Sequence, residues 1–408
     1  MQDPNKLRPF FENVEFNREG SNMILNFGPQ HPSAHGQLKL VLEVDGEKII
    51  KARPGIGYMH RGVEKMAENM IYQEFVPVTD RVDYIAAGSN NYGFCATVEK
   101  LCGIDVPRRA QIIRTMLLEL NRIASHLLFL GTHALDIGAM TVFLYTFRER
   151  EYVLDLIEKY SGARLTHHNV KIGGMFVDLP DGWLDELLAF CEKFPRDIAD
   201  YEALLDTNRI WLLRTQNVGV ITKEQALSCG CSGVMLRASG YKWDIRKEEP
   251  YLIYDELDFD VPYAEAGDCY ARYKCYVQEM RESVKILTQC VPLYKASEPK
   301  ILADSPEFVS AGKEQLMSQN YSLMQHFVLI TQGLKPPKGE IYLATESPKG
   351  ELGFYIYSVG ESSPYRLKIR CPSFWHCAIY EEIMPGQYIA DVTAIIGSSN
   401  IILGEVDR

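Results

Sequence analysis

The chain has 408 residues, of which 46% are hydrophobic, so it is long enough to bury a large core and to form two or three domains. Its 43 Lys and Arg residues against 54 Asp and Glu residues give a net charge of -11, and without a basic cluster this excludes a nucleic-acid-binding surface. The N-terminus lacks the apolar segment of a signal peptide and no run of about 18 uncharged apolar residues occurs, which predicts a soluble or peripheral protein.

The N-terminal part of the chain carries the spacing of a β-hairpin. Within "GQLKLVLEVDGEKIIKA" apolar residues alternate with polar ones before a turn at Asp45-Gly46. A period of two is typical of a strand with one buried face. We expect residues 1–56 to form an N-terminal extension followed by this hairpin.

From Gly57 the apolar spacing is that of helices, which predicts a mainly helical core over residues 57–333. The segments "MHRGVEKMAENMIYQEF" and "DRVDYIAAGSNNYGFCATVEKLCG" begin this core, and the second ends at Gly103. A long helix starts near Pro107, and another runs through "MTVFLYTFREREYVLDLIEKYSG". The inward stripe of the long helix comprises Ile112, Ile113, Leu117, Leu120, Ile123 and Leu127. Further helices are predicted over residues 182–206, 262–291 and 311–332.

Residues 334–408 form the third predicted region. The segment "GEIYLATESPKGELGFYIYSVGESSPYRLKIRC" alternates in three runs separated by Pro-Lys-Gly and Ser-Ser-Pro turns, which indicates a small antiparallel meander. The predicted fold class is therefore α+β, with a central helical bundle flanked by an N-terminal β-hairpin and a C-terminal small antiparallel β region. Because no flexible linker separates the three regions, we expect them to pack as one compact unit.

Ten cysteines without a secretory signal indicate reduced thiols. Two segments bring possible metal ligands together: "SCGCSG", with Cys229 and Cys231, and "CPSFWHC", with Cys371, His376 and Cys377. Neither has the Cys-x-x-Cys pair that zinc or iron-sulfur ligation favours. Buried thiols are therefore the favoured interpretation over a metal site.

The segment "GPQHPSAHG" places His31 and His35 four residues apart, like metal ligands on one helix face. Pro32 disfavours helical geometry at this point, so the pair belongs to a loop. Two alternatives remain open for these histidines. They project into a cavity, or they are bonded to a nearby carbonyl group.

Two further polar clusters fall on segments otherwise suited to burial. The first, "TDRVDYIAAGSNNYG", holds Asp80, Arg81, Asp83, Tyr84, Asn90, Asn91 and Tyr92, and the second, "SHLLFLGTHALDIGAM", holds His126, His133 and Asp136. Because charge in a core is costly, an acid such as Asp136 should pair with a cation or a hydrogen-bond donor, for which a histidine is an obvious candidate. Each cluster is either a structural network that holds helices in register or part of a site.

Taken together, these segments resemble the quinone-site component of proton-pumping NADH:quinone oxidoreductase, respiratory complex I, which is the D subunit of the bacterial enzyme. The likeness covers nearly the whole chain. Its segments are "GPQHPSAHG", "GYMHRGVEK", "DRVDY", "THALDIGAM", "YSGARL", "TNRIW", "SGVMLRASGYKWDIRK", "DFDVPY", "GDCYARY", "ESPKGELGFY", "PYRLKIRCPSF" and "IIGSSNIILGEVDR". The resemblance implies an oxidoreductase subunit that is peripheral on the cytoplasmic face of the bacterial inner membrane.

That family is similar in turn to the large subunit of nickel-iron hydrogenases, which bind their metal through two Cys-x-x-Cys pairs. The matching positions here are Asp83 and Ala86, then Ile402 and Glu405. Without thiolates a nickel-iron centre cannot form, so the resemblance implies an emptied metal cavity and no metal of the chain's own.

The resemblance also implies which residues act on the substrate, menaquinone or ubiquinone. His35 and Tyr84 match the positions that hydrogen-bond the two quinone carbonyls and donate protons, and Asp136 matches the carboxylate that partners the histidine. Reduction places negative charge on both oxygens, which two positioned proton donors stabilise. We expect Asp136 to orient the imidazole of His35 and to favour its protonated form. Loss of that proton is the expected start of coupling to proton translocation.

The electrons are expected from an iron-sulfur cluster in a small neighbouring subunit, because this chain has no convincing cysteine set for one. Arg61 and Arg81 match arginines that approach that cluster in the family. The alternative for each arginine is a buried pair with an acid such as Glu64 or Asp83. Other expected partners are the remaining peripheral-arm and membrane-arm subunits, but no nucleic acid.

One residue departs from the family pattern. Many relatives carry a histidine where "SGARLTHHNV" has Thr166, followed here by His167 and His168. Threonine cannot titrate with reduction of the cluster, which is compatible with a lower-potential quinone such as menaquinone. As an alternative function, the chain is a non-catalytic scaffold subunit of a hydrogenase-related membrane complex.

Overall fold

The computed structural model describes residues 22–408, and its first element is a three-stranded antiparallel sheet. Its strands, in spatial order, are β1 (Met23–Phe27), β2 (Lys39–Asp45) and β3 (Lys48–Gly55). Alternate apolar residues of β2 are buried, and Gly46 supplies the positive φ of 58° at the turn. The predicted hairpin is confirmed with β1 added, while the predicted extension before residue 22 lies outside the described residues.

Helices fill the middle of the described chain. The first five are α1 (Val63–Ala67), α2 (Tyr72–Thr79), α3 (Ala87–Cys102), α4 (Arg108–Asp136) and α5 (Met140–Ser161). A pair of two-residue strands follows, β4 (Val170–Lys171) and β5 (Gly174–Met175). The next helices are α6 (Trp183–Leu205), α7 (Arg209–Thr215), α8 (Lys223–Ser228), α9 (Gly233–Arg237), α10 (Ile245–Glu248) and α11 (Cys269–Ala296). The helical part ends with α12 (Lys313–Ser318) and α13 (Asn320–Gln332).

Helix α4 is the centre of the core and is buried around almost its whole circumference. Pro107 precedes its first residue, and the predicted apolar stripe is at most 2% exposed, so both predictions are confirmed. The other face is buried as well, against α5 and α11, and it carries Arg114, Glu119 and Arg122. Charged side chains in such a place require partners, so α4 introduces ion pairs into the interior.

Three predicted helices differ at their ends. The helix expected from Asp80 begins only at Ala87, because residues 80–86 form turns in which Asp83 accepts a hydrogen bond from the Ile85 amide at 3.1 Å. The helix expected over 262–291 is α11, whose start is set by Asp268. The segment 311–332 is two helices, since the backbone is extended where α12 and α13 meet.

The C-terminal region contains the predicted antiparallel meander and four short helices. The strands are β6 (Gly339–Ser347), β7 (Gly350–Ser358) and β8 (Arg366–Arg370), paired in that order. The helices are α14 (Pro372–Ala378), α15 (Tyr380–Ile383), α16 (Asp391–Ser398) and α17 (Leu403–Asp407). The predicted fold class, a helical core with small antiparallel sheets near both ends, is confirmed.

The first sheet and the last helices share one apolar core. Leu40 and Ile49 belong to the same buried cluster as Ile395 and Val406. This packing brings the loop between β1 and β2 onto α16 and near the end of α4. Within residues 22–408, no helix is both long and apolar enough to cross a membrane.

Candidate functional site

His35 lies in the loop that connects β1 to β2. A 3₁₀ turn spans Pro32–Ala34, and His35 follows it in the left-handed conformation with φ of 49°. His35 is half-buried, whereas His31 is exposed and packs on the ring of Phe27 at 4.3 Å between centroids. The two histidines therefore have different surroundings, and only His35 is partly buried.

Asp136 is the last residue of α4, and the loop of His35 reaches it through Ser33. The Ser33 hydroxyl donates to Asp136 Oδ1 at 2.9 Å. Burial raises the pKa of Asp136, and the hydrogen bond from Ser33 opposes this rise. Gly397 of α16 packs against the same point, since a Cβ atom there would lie 2.6 Å from His133 Nδ1 and 3.6 Å from Asp136 Oδ2. The loop, α4 and α16 therefore meet at Asp136.

Tyr84 lies in the turns between α2 and α3 and is half-buried. Burial and the negative charge of Asp83 raise the pKa of Tyr84, while the charge of Arg61 opposes the rise. Nothing in the part of the chain that the structure describes hydrogen-bonds the Tyr84 hydroxyl group. At neutral pH this phenol is protonated and free to donate to a ligand.

A buried ion cluster adjoins these turns. It consists of Asp83, Lys349 and Glu405, each at most 1% exposed, and is called the Lys349 cluster below. Lys349 Nζ donates to Asp83 Oδ2 at 2.7 Å and to Ser125 Oγ at 3.3 Å. Glu405 accepts a hydrogen bond from the Ser373 hydroxyl. Burial and the charge of Asp83 raise the pKa of Glu405 to about 7, while Lys349 opposes the rise. Two carboxyl groups thus share one ammonium.

The Lys349 cluster connects the two predicted proton donors. Lys349 pairs with Asp83, which directly precedes Tyr84 in the chain. Burial and the charge of the same Lys349 lower the pKa of His35 to about 4, so the ammonium acts on His35 as well. Lys349 thus pairs with the residue before Tyr84, and its charge also acts on His35, although these residues lie in separate segments of the sequence.

The protonation state of His35 differs from the expected one. With a pKa of about 4 the imidazole is neutral near pH 7, because burial and the positive charge of Lys349 both disfavour the protonated form. Within residues 22–408 no hydrogen bond joins His35 to Asp136, whose partner is Ser33. The expectation that Asp136 favours the protonated histidine is therefore wrong for this structure.

The positions that match the hydrogenase ligands do not suit a soft metal. Ala86 and Ile402 are buried and apolar, and the other two positions, Asp83 and Glu405, adjoin the ammonium of Lys349, which repels a cation. Thiolates, which select nickel and iron, are missing at all four positions. The structure contains no group of three or more His, Cys, Asp or Glu side chains that would suit a metal ion anywhere in residues 22–408.

The cysteine segments are core thiols, as the sequence indicates. Cys231, Cys371 and Cys377 are buried and unbonded to other cysteines, and burial raises the pKa of each. His376 is fully buried, which lowers its pKa to about 3. Cys229 is half-buried and donates to Glu382 at 3.3 Å. These thiols are protonated at neutral pH and are poor metal ligands.

Arg61 and Arg81 lie together on the surface. A guanidinium nitrogen of Arg61 donates to the carbonyl of Arg81 at 2.5 Å, and both side chains are exposed. Neither of the two named acids pairs with these arginines, because Asp83 pairs with Lys349, and the nearest cation to Glu64 is Lys368 at 3.1 Å. Arg81 does pair with a buried acid, Asp80, at 3.7 Å, while its own side chain stays exposed. The two arginines are thus available to a neighbouring subunit.

The segment around Thr166 places a histidine near Arg81. His167 is buried and donates to the side-chain oxygen of Asn121 at 3.0 Å, and burial lowers its pKa to about 4. Burial and the charge of Arg81 lower the pKa of His168. Both imidazoles are therefore stabilised in the neutral form, and His168 lies close enough to Arg81 to respond to its charge.

The sequence reasoning missed Lys349. It stands in "ESPKGE", where the pattern predicts only a turn between strands. The available signal was a lysine where β6 meets β7, at which residues 345–350 are all buried, since a buried ammonium needs a carboxylate partner. Of the histidines beside Asp136, His133 is a core residue, packed on Trp211 at 5.1 Å between centroids.

Comparison with known proteins gives consistent matches. Residues 136–408 match the family described as the respiratory-chain NADH dehydrogenase 49 Kd subunit. Over the full length of both chains, the sequence is 76% identical to the D subunit of NADH-quinone oxidoreductase from Campylobacter concisus. The protein of that name is 70% identical in Campylobacter jejuni and 62% identical in Wolinella succinogenes, again over the full length of both chains.

Proposed function

Because the chain belongs to the family of the respiratory-chain NADH dehydrogenase 49 kDa subunit, which is the D subunit of bacterial NADH-quinone oxidoreductase, we propose that it forms the quinone headgroup site of that complex. As a family member it is part of an oxidoreductase complex, and its partners are other subunits of that complex. The observation that supports the proposed site best is the ion pair of Lys349 with Asp83, the residue before Tyr84, together with the effect of the Lys349 charge on His35.

In the proposed site, Tyr84 and His35 bind the two carbonyl oxygens of the quinone. The Tyr84 hydroxyl is protonated and unpartnered among the described residues, and a neutral imidazole at His35 still has one N–H group to donate. As two electrons enter the ring, both oxygens gain basicity, so each donor bond strengthens. Tyr84 transfers its proton to one oxygen, and His35 passes its N–H proton to the other while its second ring nitrogen takes up a proton from solvent, which gives the quinol and leaves the imidazole neutral. Asp136 holds the His35 loop in place through Ser33.

The Lys349 cluster is suited to restore the proton that Tyr84 loses. A phenolate beside Asp83 would place two negative charges together, and Glu405, with a pKa of about 7, holds a proton that can relieve this repulsion. Lys349 stabilises the carboxylate that remains. The proton taken by the quinone is thus replaced from groups of this chain and afterwards from solvent.

The electrons would come from an iron-sulfur cluster in a small partner subunit. Arg61 and Arg81 are exposed side by side and would face that subunit, where positive charge stabilises a reduced cluster. We propose the cytoplasmic face of the inner membrane as the location, with menaquinone or ubiquinone as substrate and proton translocation coupled to its reduction. Thr166 in place of a titratable residue suits menaquinone, the substrate with the lower potential.

The variant Tyr84→Phe in the assembled complex tests this proposal. It removes one hydroxyl group that has no partner in the described chain, so we expect assembly to be unchanged and quinone reductase activity to fall at least about tenfold. Tyr263→Phe is the matched control, because its ring is 53% exposed. Full activity of Tyr84→Phe would favour the alternative, a non-catalytic scaffold subunit.

A further inference from the structure

A second buried charge cluster lies deeper in the core, between α4, α9, α10, α11 and the end of β6. Its cations are three arginines and its acids are four carboxyl groups, all at most 4% exposed: Arg122, Arg237, Arg246, Glu119, Asp244, Glu279 and Glu346. It is called the Arg237 cluster below. If every group carried its usual charge, the cluster would hold one unbalanced negative charge in a dry interior, which is strongly unfavourable.

Two of the four carboxyl groups, Asp244 and Glu119, have several strong donors. Asp244 accepts two side-chain hydrogen bonds from Arg246, at 3.0 and 2.7 Å. Glu119 accepts from Arg246 at 3.1 Å and from the hydroxyl groups of Tyr254 at 2.7 Å and Ser283 at 2.6 Å. These bonds favour the charged carboxylates, and the charges of Arg122 and Arg246 lower the pKa of Glu119 despite its burial.

Glu279 also has strong hydrogen-bond donors. It accepts one hydrogen bond from Arg237 and another from His126 Nε2 at 2.8 Å. Despite burial, the charge of Arg237 holds the pKa of Glu279 well below its usual range. His126 Nδ1 is buried without a partner among the described residues, so a second proton on this ring would be an unsatisfied donor. Burial correspondingly lowers the pKa of His126, and the ring is neutral.

Of the four acids, Glu346 has the weakest set of hydrogen-bond donors to its carboxyl group. Its Oε1 accepts from Arg237 at 2.8 Å, but Oε2 has only the Ile245 amide at 3.5 Å. The cations Arg122 and Arg246 face it from α4 and α10, but both are engaged by Glu119. Asp244 faces it as a like charge, and with burial this raises the pKa of Glu346.

We propose that Glu346 holds a proton in the resting protein and is the neutral acid of the Arg237 cluster. With this proton in place, the three arginines of the cluster balance the three remaining carboxylates. Arg122 fixes the backbone at this point by donating to the carbonyl groups of Glu346 at 2.7 Å and Ser347 at 3.2 Å.

A pair of glutamine variants in the assembled complex tests the resting proton. Glu346→Gln replaces a neutral acid by a neutral amide, so assembly should be normal and the midpoint of thermal inactivation should shift by no more than about 2 °C. Glu279→Gln removes a carboxylate and leaves Arg237 undercompensated, so the midpoint should fall by at least about 5 °C. Equal destabilisation by both variants would overturn the proposal.

Infrared spectroscopy supplies a readout that does not depend on the stability of a variant. At about pH 8, where Glu405 is ionised, the parent complex should still show a protonated-carboxyl C=O band, and this band should be absent in Glu346→Gln. Lack of that band in the parent would overturn the resting proton.

Discussion

The Lys349 ammonium and the Asp83 carboxylate form an ion pair of 2.7 Å in which both side chains are at most 1% exposed. The two residues are 266 positions apart, so the pair joins the turn before α3 to the turn between β6 and β7. It also fixes the position of Tyr84, the next residue after Asp83. A buried pair of this kind is strongly destabilising to break, because the remaining charge has no solvent to compensate it.

The variant Lys349→Met should therefore destabilise the chain. We expect the free energy of unfolding to fall by roughly 3 to 5 kcal/mol, since Asp83 loses its partner while Glu405 still adjoins it. The double variant with Asp83→Asn should recover part of this loss. Urea unfolding of Lys349→Met and of the double variant measures the effect. The control Lys368→Met, which breaks a half-exposed pair with Glu64, should lower the free energy of unfolding by less than about 1 kcal/mol.

Glu405 should make stability fall as the pH rises. Its folded pKa of about 7 lies above the ordinary value of 4.5, so the folded state holds the proton more tightly than the unfolded state. Its contribution is therefore complete below about pH 4.5 and is lost progressively up to about pH 7, with a total of roughly 3 kcal/mol. In urea unfolding at a series of pH values, Glu405→Gln should flatten this part of the curve. Parallel curves for the parent and the variant would contradict the raised pKa.

His35 should show the opposite dependence. Its folded pKa of about 4 lies below the ordinary value of 6.5, so its contribution is present above pH 6.5 and decreases as the pH falls toward 4. Replacing Lys349 by methionine removes one of the two causes of the lowered pKa, so the pKa of His35 should rise. The measurement is the difference in stability between the parent and His35→Gln across this range, repeated in the Lys349→Met background, where the dependence should weaken.

Gly397→Ala should disturb the end of α4. The new Cβ atom would lie 2.6 Å from His133 Nδ1, and His133 cannot move freely because it is packed on Phe129 and Trp211. We expect a loss of about 1 to 3 kcal/mol in the free energy of unfolding. Gly312→Ala is the matched control, because nothing lies within 4 Å of its Cβ position and it should be close to neutral. Similar results for the two variants would contradict the close approach of α16.

Ser33→Ala should affect substrate binding more than folding. The variant removes the 2.9 Å hydrogen bond to Asp136 and releases the loop that carries His35, at a cost of about 0.5 to 1.5 kcal/mol. In the assembled complex we expect the KM for quinone to rise, with a smaller change in kcat. An unchanged KM would mean that the loop is held without this bond.

Local patterns in the sequence predicted much of the fold. The alternation through Leu40 and Leu42 identified the hairpin, and the stripe from Ile112 to Leu127 identified α4, because each pattern reports a buried face of one element. The burial of Arg122 on α4 was not predictable, since it depends on helices and strands from distant parts of the chain that pack against this helix. The resemblance likewise pointed to His35, Tyr84 and Asp136 without showing what lies between them.

The charge pairing of the site could not be predicted for the same reason. Lys349 and Glu405 stand in separate C-terminal segments, and only the folded chain brings both to Asp83. The neutral state of His35 follows from burial in the folded chain and, in addition, from the charge of a lysine remote in sequence. Partners of buried charges are long-range properties, which spacing within one segment does not contain.

A structure of the assembled complex with quinone bound would show whether His35 and Tyr84 bind one quinone headgroup. We expect the Tyr84 hydroxyl and a ring nitrogen of His35 each to lie within about 3 Å of a different carbonyl oxygen of the same ring. A headgroup bound with neither residue in contact would contradict this expectation.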